Sequence, residues 1–325
     1  MKISVVIPNY NGSPYIIECI DCLKKQTFKD FEVIVVDNNS TDNSVDEIEN
    51  RYPEIKIIEM NNNSGFSSAV NRGIKDSTSE FIFLLNNDAF INSDFLEILY
   101  NKIVNDPLCF SCCGKMIQYY DKSKIDDAGD FYTILGWAFQ RGNGDQSNLY
   151  NFDSQVFSCC AGASIYRRSV FNRIGYFDEN FYAYLEDVDI GYRAKQHGYK
   201  NYYCHNAVCY HMGSATSGGK YSDFKVKLSS RNNIYLIFKN MPYWQIIISL
   251  LFIFLGILLK YSYFKRIGFG KSYKEGIIEG FNNIKLFKKR RTKFFLSLKV
   301  YFELILATFN YVTRKIAKIA DKFLK

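Results

Sequence analysis

No secretory leader opens this chain of 325 residues: "MKISVVIPNY" reads straight into a strand. With nine cysteines in so long a chain, that start argues against the disulfide framework of a small secreted protein and predicts a reduced, cytoplasmic setting. Cys19 and Cys22 form one C-x-x-C and Cys109 and Cys112 another. Neither is joined by a second pair or a His at zinc-ribbon spacing, so all four are expected as small core residues. No G-x-G-x-x-G follows the first apolar run, which argues against a dinucleotide oxidoreductase. "IPNYNGSPY" carries no Lys or Arg, unlike the Gly-rich phosphate loop of a nucleotidyltransferase. Long repeats, low-complexity tracts and nucleic-acid motifs are absent too, so no nucleic-acid partner is expected.

Charge and apolarity are present but unevenly placed. Met1 to Lys239 holds 24 basic and 29 acidic residues, a net −5, whereas Asn240 to Lys325 holds 17 and 4, a net +13. The chain therefore divides into a globular part, 1–239, large enough for a catalytic domain, and a basic, apolar helical tail, 240–325.

The first hundred residues alternate between two periods. "ISVVIP", "FEVIVVD", "IKIIEM" and "EFIFLLN" are strand-like, and segments of helical spacing lie between them, with Ser13-Pro14 and Gly65 as helix-start signals. This is a βαβ series, predicting an α/β fold on a mostly parallel sheet. Ligands of such sheets gather at the carboxyl ends of the strands. Each strand here ends in polar residues: Pro8, Asn9 and Tyr10; Asp37, Asn38, Ser40 and Asp42; "NNNSGFSSAVNRG"; Asn86, Asn87 and Asp88. Singly these are ordinary turn residues. Four in register point to a ligand edge.

Asp88 can serve as a hard oxygen ligand for a divalent cation or as a turn acid. Glu186, Asp187 and Asp189 crowd three carboxylates into one predicted helix start, which raises a pKa and suits a general base, although helix capping needs the same residues. His211 ends another strand-like run, with His205 six residues earlier as the rival. Arg231 opens an apolar helix in "LSSRNNIYLIFKN", where it can grip phosphate in a fork or pair with an acid inside the fold. Leu108 to Gln155 reads as strands and loops of no firm assignment.

In order, "SVVIPNYNG", "VIVVDNNSTDNS", "NNSGFSSAVNRGI", "FLLNNDA", "GASIYRRSVFNRIGYFDENFYAYLEDVDIGYRAKQHGY", "YHMGSAT" and "RNNIYLIFKN" resemble family 2 glycosyltransferases of the GT-A fold, especially the rhamnosyltransferase-like bacterial members. The resemblance covers about the first 240 residues. It implies that Pro8, Asn9, Tyr10, Asp37, Asn38 and Ser40 hold a nucleotide, and that Asn63, Gly65, Phe66, Ala69 and Asn71 lie along ribose and diphosphate. Asn86, Asn87 and Asp88 fall at the D-x-D position, with Asp88 and His211 as ligands of Mn2+ or Mg2+. Asp187, preceded by Glu186, takes the place of the base, and Arg231, Asp189 and Trp137 are expected near phosphate or acceptor. Inverting transfer follows, from a donor of the dTDP-rhamnose or UDP-hexose type to a glycan or polyprenyl-linked acceptor in bacterial cell-surface polysaccharide synthesis. Asn86 departs from the pattern by replacing the first acid, which keeps open a non-catalytic binding module with a degenerate metal site.

In the tail, "WQIIISLLFIFLGILL" (Trp244 to Leu259) holds sixteen uncharged residues, short of the ~20 of a comfortable span. Spanning, half-inserted and core-packed arrangements all fit it. Basic clusters beside aromatic stretches, "KLFKKRRTK" among them, favour attachment at the cytoplasmic face of the plasma membrane.

Overall fold

The computed structural model describes residues 1–13, 15–213, 221–289 and 292–323. Pro14, the Gly/Ser edge from residue 214 and the Arg pair at 290–291 lie outside the described residues. Chain order is β1 (Ile3–Asn9), α1 (Tyr15–Lys24), β2 (Phe31–Asp37), α2 (Ser44–Arg51), β3 (Lys56–Glu59), α3 (Phe66–Asp76), β4 (Phe81–Leu85), β5 (Ala89–Ile91) and α4 (Phe95–Asn105). Then come β6 (Cys109–Gln118), β7 (Ile125–Asp127), β8 (Asp130–Tyr132), β9 (Ala138–Gln140), β10 (Ser154–Val156), β11 (Ala163–Arg167) and α5 (Arg168–Ile174). The chain ends with α6 (Glu186–Gln196), β12 (Lys200–His211), α7 (Asp223–Asn240), α8 (Tyr243–Arg266), α9 (Gly270–Asn282) and α10 (Phe294–Phe323).

The main sheet runs β10-β12-β6-β11-β4-β1-β2-β3. β3, β2, β1 and β4 are mutually parallel, β6 and β12 form another parallel pair, and β11 lies antiparallel between the two groups. Val5 and Ile7 of β1 pack under α1 and α4, while Val6 faces α3, so the sheet is covered on both sides. Apolar, largely β-branched strands buried on both faces need no alternation, which is why "FIFLL" is buried throughout. α3 lies close to the sheet because Gly73 has no Cβ to collide with Val6.

Two features of this topology build the site. The carboxyl ends of β1, β2 and β4 open on one edge, with β1 the point from which strand order runs both ways. The short β5, directly after Asn86–Asp88, pairs antiparallel with the end of β12 and sets His211 opposite Ala89.

All nine cysteines are free thiols, seven of them buried; of the two C-x-x-C pairs, Cys19, Cys109 and Cys112 lie in the core as expected, and Cys22 is half-buried. α9 packs along α7, where Gly276 lies against Ser230 and Gly280 against Ile234. α8 and α10 run side by side, with Gln245 donating to Ser297 (2.9 Å to the carbonyl) and Ser249 bonded to Tyr301 (2.9 Å). The β8–β9 ribbon meets both: Trp137 Nε1 donates to the Gly256 carbonyl (3.1 Å) and Ile134 N–H to Thr308 (3.1 Å).

Candidate active site

On the edge of β1 and β2, Asn9 Nδ2 donates to Asp37 (2.9 Å) and Ser44 (2.9 Å), and Ser40 closes on the same carboxylate through its N–H (2.9 Å) and hydroxyl (2.6 Å). Asn38 reaches across to Asn63 (2.8 Å), whose Oδ1 also accepts from Gly65 N–H (3.1 Å). Gly65 has φ +84, and a Cβ there would stand 2.6 Å from Tyr182. Only glycine meets both conditions. Tyr10 is exposed and Pro8 and Phe66 are half-buried around this shelf.

At the end of β4, Asn87 donates to Asn9 Oδ1 (2.9 Å), tying the two strand ends together. Asp88 Oδ1 lies 3.3 Å from His211 Nε2, and Asn86 Nδ2 lies 3.4 Å from the same nitrogen. The other ring nitrogen, Nδ1, is 2.8 Å from Asp126. Burial alone would lower the His211 pKa, but Asp126 and Asp88 push it up to about 10. Two carboxylates thus hold one positive charge. A divalent cation fits the same position: Asp126 fixes the ring from behind, as outer carboxylates do for metal-bound histidines, and Nε2 converges with Asp88. Among the described residues no group of three or more His, Cys, Asp or Glu converges as a metal cage. Asp88 and His211 would therefore be two protein ligands, with donor oxygens and water filling the rest, a pattern that suits Mg2+ or Mn2+.

Asp187 and Glu186 open α6. Asp187 is half-buried and accepts from Val188 N–H (2.8 Å) and Ala161 N–H (3.4 Å). Burial raises its carboxyl to about 6 against those two donors. Glu186 is buried, one of its oxygens has no hydrogen-bond partner, and burial followed by the charge of Asp187 pushes it well above the usual range. Gly162, next to Ala161, accepts from Asn86 N–H (2.8 Å). One dipeptide, Ala161-Gly162, therefore separates the carboxylate of Asp187 from the Asn86–Asp88 cluster.

The turn into α6 is strained. Tyr182, Tyr184 and Leu185 have φ of 66°, 69° and 69°, in a region that costs bulky side chains on the order of 1–3 kcal/mol each. Tyr182 also joins this turn to the β1–β2 shelf: its hydroxyl donates to Asn63 (3.1 Å) and its carbonyl accepts from Ser67 N–H (3.1 Å).

Several expected contacts go elsewhere. Asp189 is fully buried among Arg193, Lys239 and Asn240, so it faces no ligand, and although burial alone would raise its carboxyl, Arg193 and Lys239 hold it well below the usual range. Arg231 pairs with Glu279 (3.1 Å) and with backbone carbonyls, the internal alternative rather than the phosphate one. Trp137 is buried against α8, not on an open acceptor face. Ala69 is sealed in the core, and Asn71 spends both ends of its amide on Phe177 (2.8 and 3.0 Å) and Glu179 (2.9 Å). His205 pairs with Asp153 (2.8 Å), whereas His211 is the histidine beside Asp88.

Reading by spacing passed over Asp126, Asp127 and Asp130, all in "DDAGD". Asp127 is fully buried with one unpartnered oxygen, and burial raises it to about 7; burial likewise lifts Asp130, which accepts from Ser158 (3.0 Å). The crowding of acids that drew attention to "EDVD" is present here too.

The family model described as "Glycosyl transferase family 2" matches residues 4–175. An uncharacterised glycosyltransferase of Bacillus subtilis is 28% identical over 242 residues, 72% of this chain and 85% of that protein. The N-acetylglucosaminyl-diphospho-decaprenol L-rhamnosyltransferase of Mycobacterium tuberculosis is 23% identical over 264 residues, 74% of this chain and 86% of its own. Among solved structures, GalNAc-T7 with UDP, GalNAc and Mn2+ superposes with a TM-score of 0.60 at 14% identity, covering 73% of this chain and 47% of that one. That likeness is one of fold.

Proposed function

The chain belongs to glycosyl transferase family 2 and has the α/β GT-A fold; from that premise we propose that it is a metal-dependent inverting glycosyltransferase. It moves a sugar from a nucleoside-diphosphate donor, of the dTDP-rhamnose or UDP-hexose type, to a glycan or polyprenyl-linked acceptor in cell-surface polysaccharide synthesis. The observation that carries this reading is the placement of Asp187 and the Asn86–Asp88 cluster on either side of Ala161-Gly162.

The Asn9–Asp37–Ser40 shelf and Asn63–Gly65 hold base and ribose. Asp187, with its carboxyl near 6, is ionised at neutral pH yet basic enough to take a proton. It accepts the proton of an acceptor hydroxyl as that oxygen bonds to the anomeric carbon and the bond to the diphosphate breaks. Asp88 and His211 would hold a divalent cation, which would supply positive charge against the departing diphosphate. The relatives' names support the donor and the lipid-linked acceptor: one structural neighbour was solved with UDP and Mn2+, and one sequence relative is named for a diphospho-decaprenol substrate.

Calorimetric titration with UDP and dTDP, each with and without Mn2+, tests the donor site. One of them should bind in a metal-dependent way, and Asp88→Ala should weaken that binding by at least about tenfold. Equal metal dependence in the variant would remove Asp88 from the site. The neutral amide of Asn86 favours a second reading, a non-catalytic sugar-nucleotide module, which any detectable sugar transfer excludes.

The tail supports a membrane-bound location. α8 and residues Phe294–Ile316 of α10 are long and apolar enough to cross a bilayer, yet α8 turns two polar side chains inward, beside Ile253 and Gly256, and most of its large apolar ones outward. Gln245 and Ser249 face the protein, whereas Ile247, Ile248, Leu251, Phe254, Leu255 and Leu258 are exposed. Soluble helices do the reverse. At its far end Phe264 stacks on Tyr273 of α9, a helix that carries Lys271, Lys274 and Glu275 and is fixed to α7. Those charges exclude α9 from hydrocarbon, so α8 begins and ends on one side and lies in the plane of a leaflet. Lys265, Arg266, Lys293 and Lys299 suit anionic headgroups at the cytoplasmic face. In flotation with phosphatidylglycerol vesicles the full chain should rise with the lipid. Replacing Leu251 and Leu255 together by Glu should weaken this by about tenfold or more. Undiminished flotation of that variant, or its recovery as a stable dimer without lipid affinity, would rule out the surface.

A further inference from the structure

The left-handed turn before α6 has backbone bonds of its own, Tyr182 N–H to the Glu179 carbonyl (3.1 Å) and Ala183 N–H to that of Phe181 (2.8 Å), but it is also gripped from outside. Asn232, fully buried on α7, donates through Nδ2 to the carbonyls of Phe181 (2.9 Å), Ala183 (2.9 Å) and Tyr184 (2.7 Å). One amide thus gathers three carbonyls of a turn whose neighbouring residues resist its shape. Its own orientation is fixed, because Asn232 Oδ1 accepts from Arg231 Nε (3.0 Å). Arg231 extends the grip, donating through Nη2 to the carbonyls of Asn180 (3.2 Å) and Phe181 (3.0 Å). Its remaining edge meets Glu279 of α9 at 3.1 Å, and Lys227 lies 3.2 Å from the same carboxylate. A continuous set of polar contacts therefore runs from the tail to the turn directly preceding Glu186 and Asp187.

We propose that Asn232, Arg231 and Glu279 are positioning residues, a clamp that holds the Phe181–Leu185 turn and thereby aims Asp187, so that the C-terminal region takes part in transfer as well as in anchoring. The inference rests on Asp187 being the base of the proposed reaction. The clamp acts on orientation: the turn is fixed on one side by Asn232 and on the other by Tyr182 at the shelf, and proton transfer is sensitive to displacements of about 1 Å. The clamp meets the shelf only through Tyr182, while the bonds of Asn9, Asp37, Ser40 and Asn38 hold the shelf without it, so nucleotide affinity should change far less than kcat.

The full chain is tested as Asn232→Ala, Arg231→Lys and Glu279→Gln, with Asp187→Asn alongside. Asn232→Ala should lower kcat on the order of 10²-fold. Arg231→Lys keeps the charge facing Glu279 but loses the fork, and it and Glu279→Gln should each lower kcat several-fold. In all three, UDP affinity and donor KM should change far less than kcat, while the pH midpoint of kcat falls from about 6 toward the ordinary carboxylate range as the turn loosens and Asp187 gains water. A purely structural role would lower the amount of folded protein without moving that midpoint. Folded Glu279→Gln and Arg231→Lys proteins with wild-type kcat and pH midpoint would overturn the clamp, even were Asn232→Ala to fail to fold. Full turnover by Asp187→Asn would instead overturn the base reading on which the clamp depends.

Discussion

Asp187→Asn should bind UDP as the unchanged protein does and turn over on the order of 10²-fold or more slowly. The amide keeps the size of the carboxylate, but its single oxygen can accept from only one of Val188 and Ala161, which bind different oxygens of Asp187, so basicity and one backbone hydrogen bond are lost together. The same residue sets the pH response. Because burial raises its carboxyl to about 6, the proton-accepting form is lost as the pH falls through 6. Below that point kcat should drop about tenfold per pH unit, and above it the profile should be flat until another group intervenes. A midpoint near ~4, where an ordinary aspartate titrates, would mean that the base is some other, better-solvated group.

Asp189→Ala should cost about 3–5 kcal/mol of folding stability, read from urea denaturation at pH 7. Its two oxygens receive Arg193 (2.6 and 3.0 Å), Lys239 (2.9 Å) and Asn240 (2.9 Å), all in the interior. Removing the acid leaves a guanidinium and an ammonium buried together. Since the folded carboxyl titrates below its unfolded value, its contribution is complete above the unfolded pKa of about 4 and fades only as the pH falls further. A variant of normal stability with weakened donor or acceptor binding would restore Asp189 to the ligand site.

These two acids lie two positions apart in "EDVDIGYR", and the sequence does not distinguish them. Two residues along a helix, the side chain turns from the cleft to the core, a difference of packing that spacing alone cannot express. Where the signal was periodic, reading succeeded: the four N-terminal strands, their parallel pairing and their polar ends follow from local alternation between two periods, whereas their order in the sheet does not. Where the contact was remote, it failed. Asp126 reaches His211 across 85 residues, and its strand is only three residues long, too short for any period to register. Arg231 illustrates a third case, in which residue type restricted the partner to an anion and the fold chose Glu279 over phosphate. Trp137 went astray because its partner, Gly256, belongs to a segment that composition had set apart as a tail.

The outward apolar face of α8 makes the protein awkward to handle in water, and shortening the chain at Lys239 would be the obvious remedy. That remedy carries its own damage. Gln245 accepts from the hydroxyl of buried Tyr192, Gly256 seats Trp137, and Glu303 of α10 pairs with Lys195 (2.8 Å), so all three partners would be left uncovered. A chain cut there would trade one exposed apolar surface for another and would lose the carboxylate that Arg231 faces. Solubility in this protein is therefore better sought with detergent or lipid, or by polar substitutions on the outer face of α8, than by truncation.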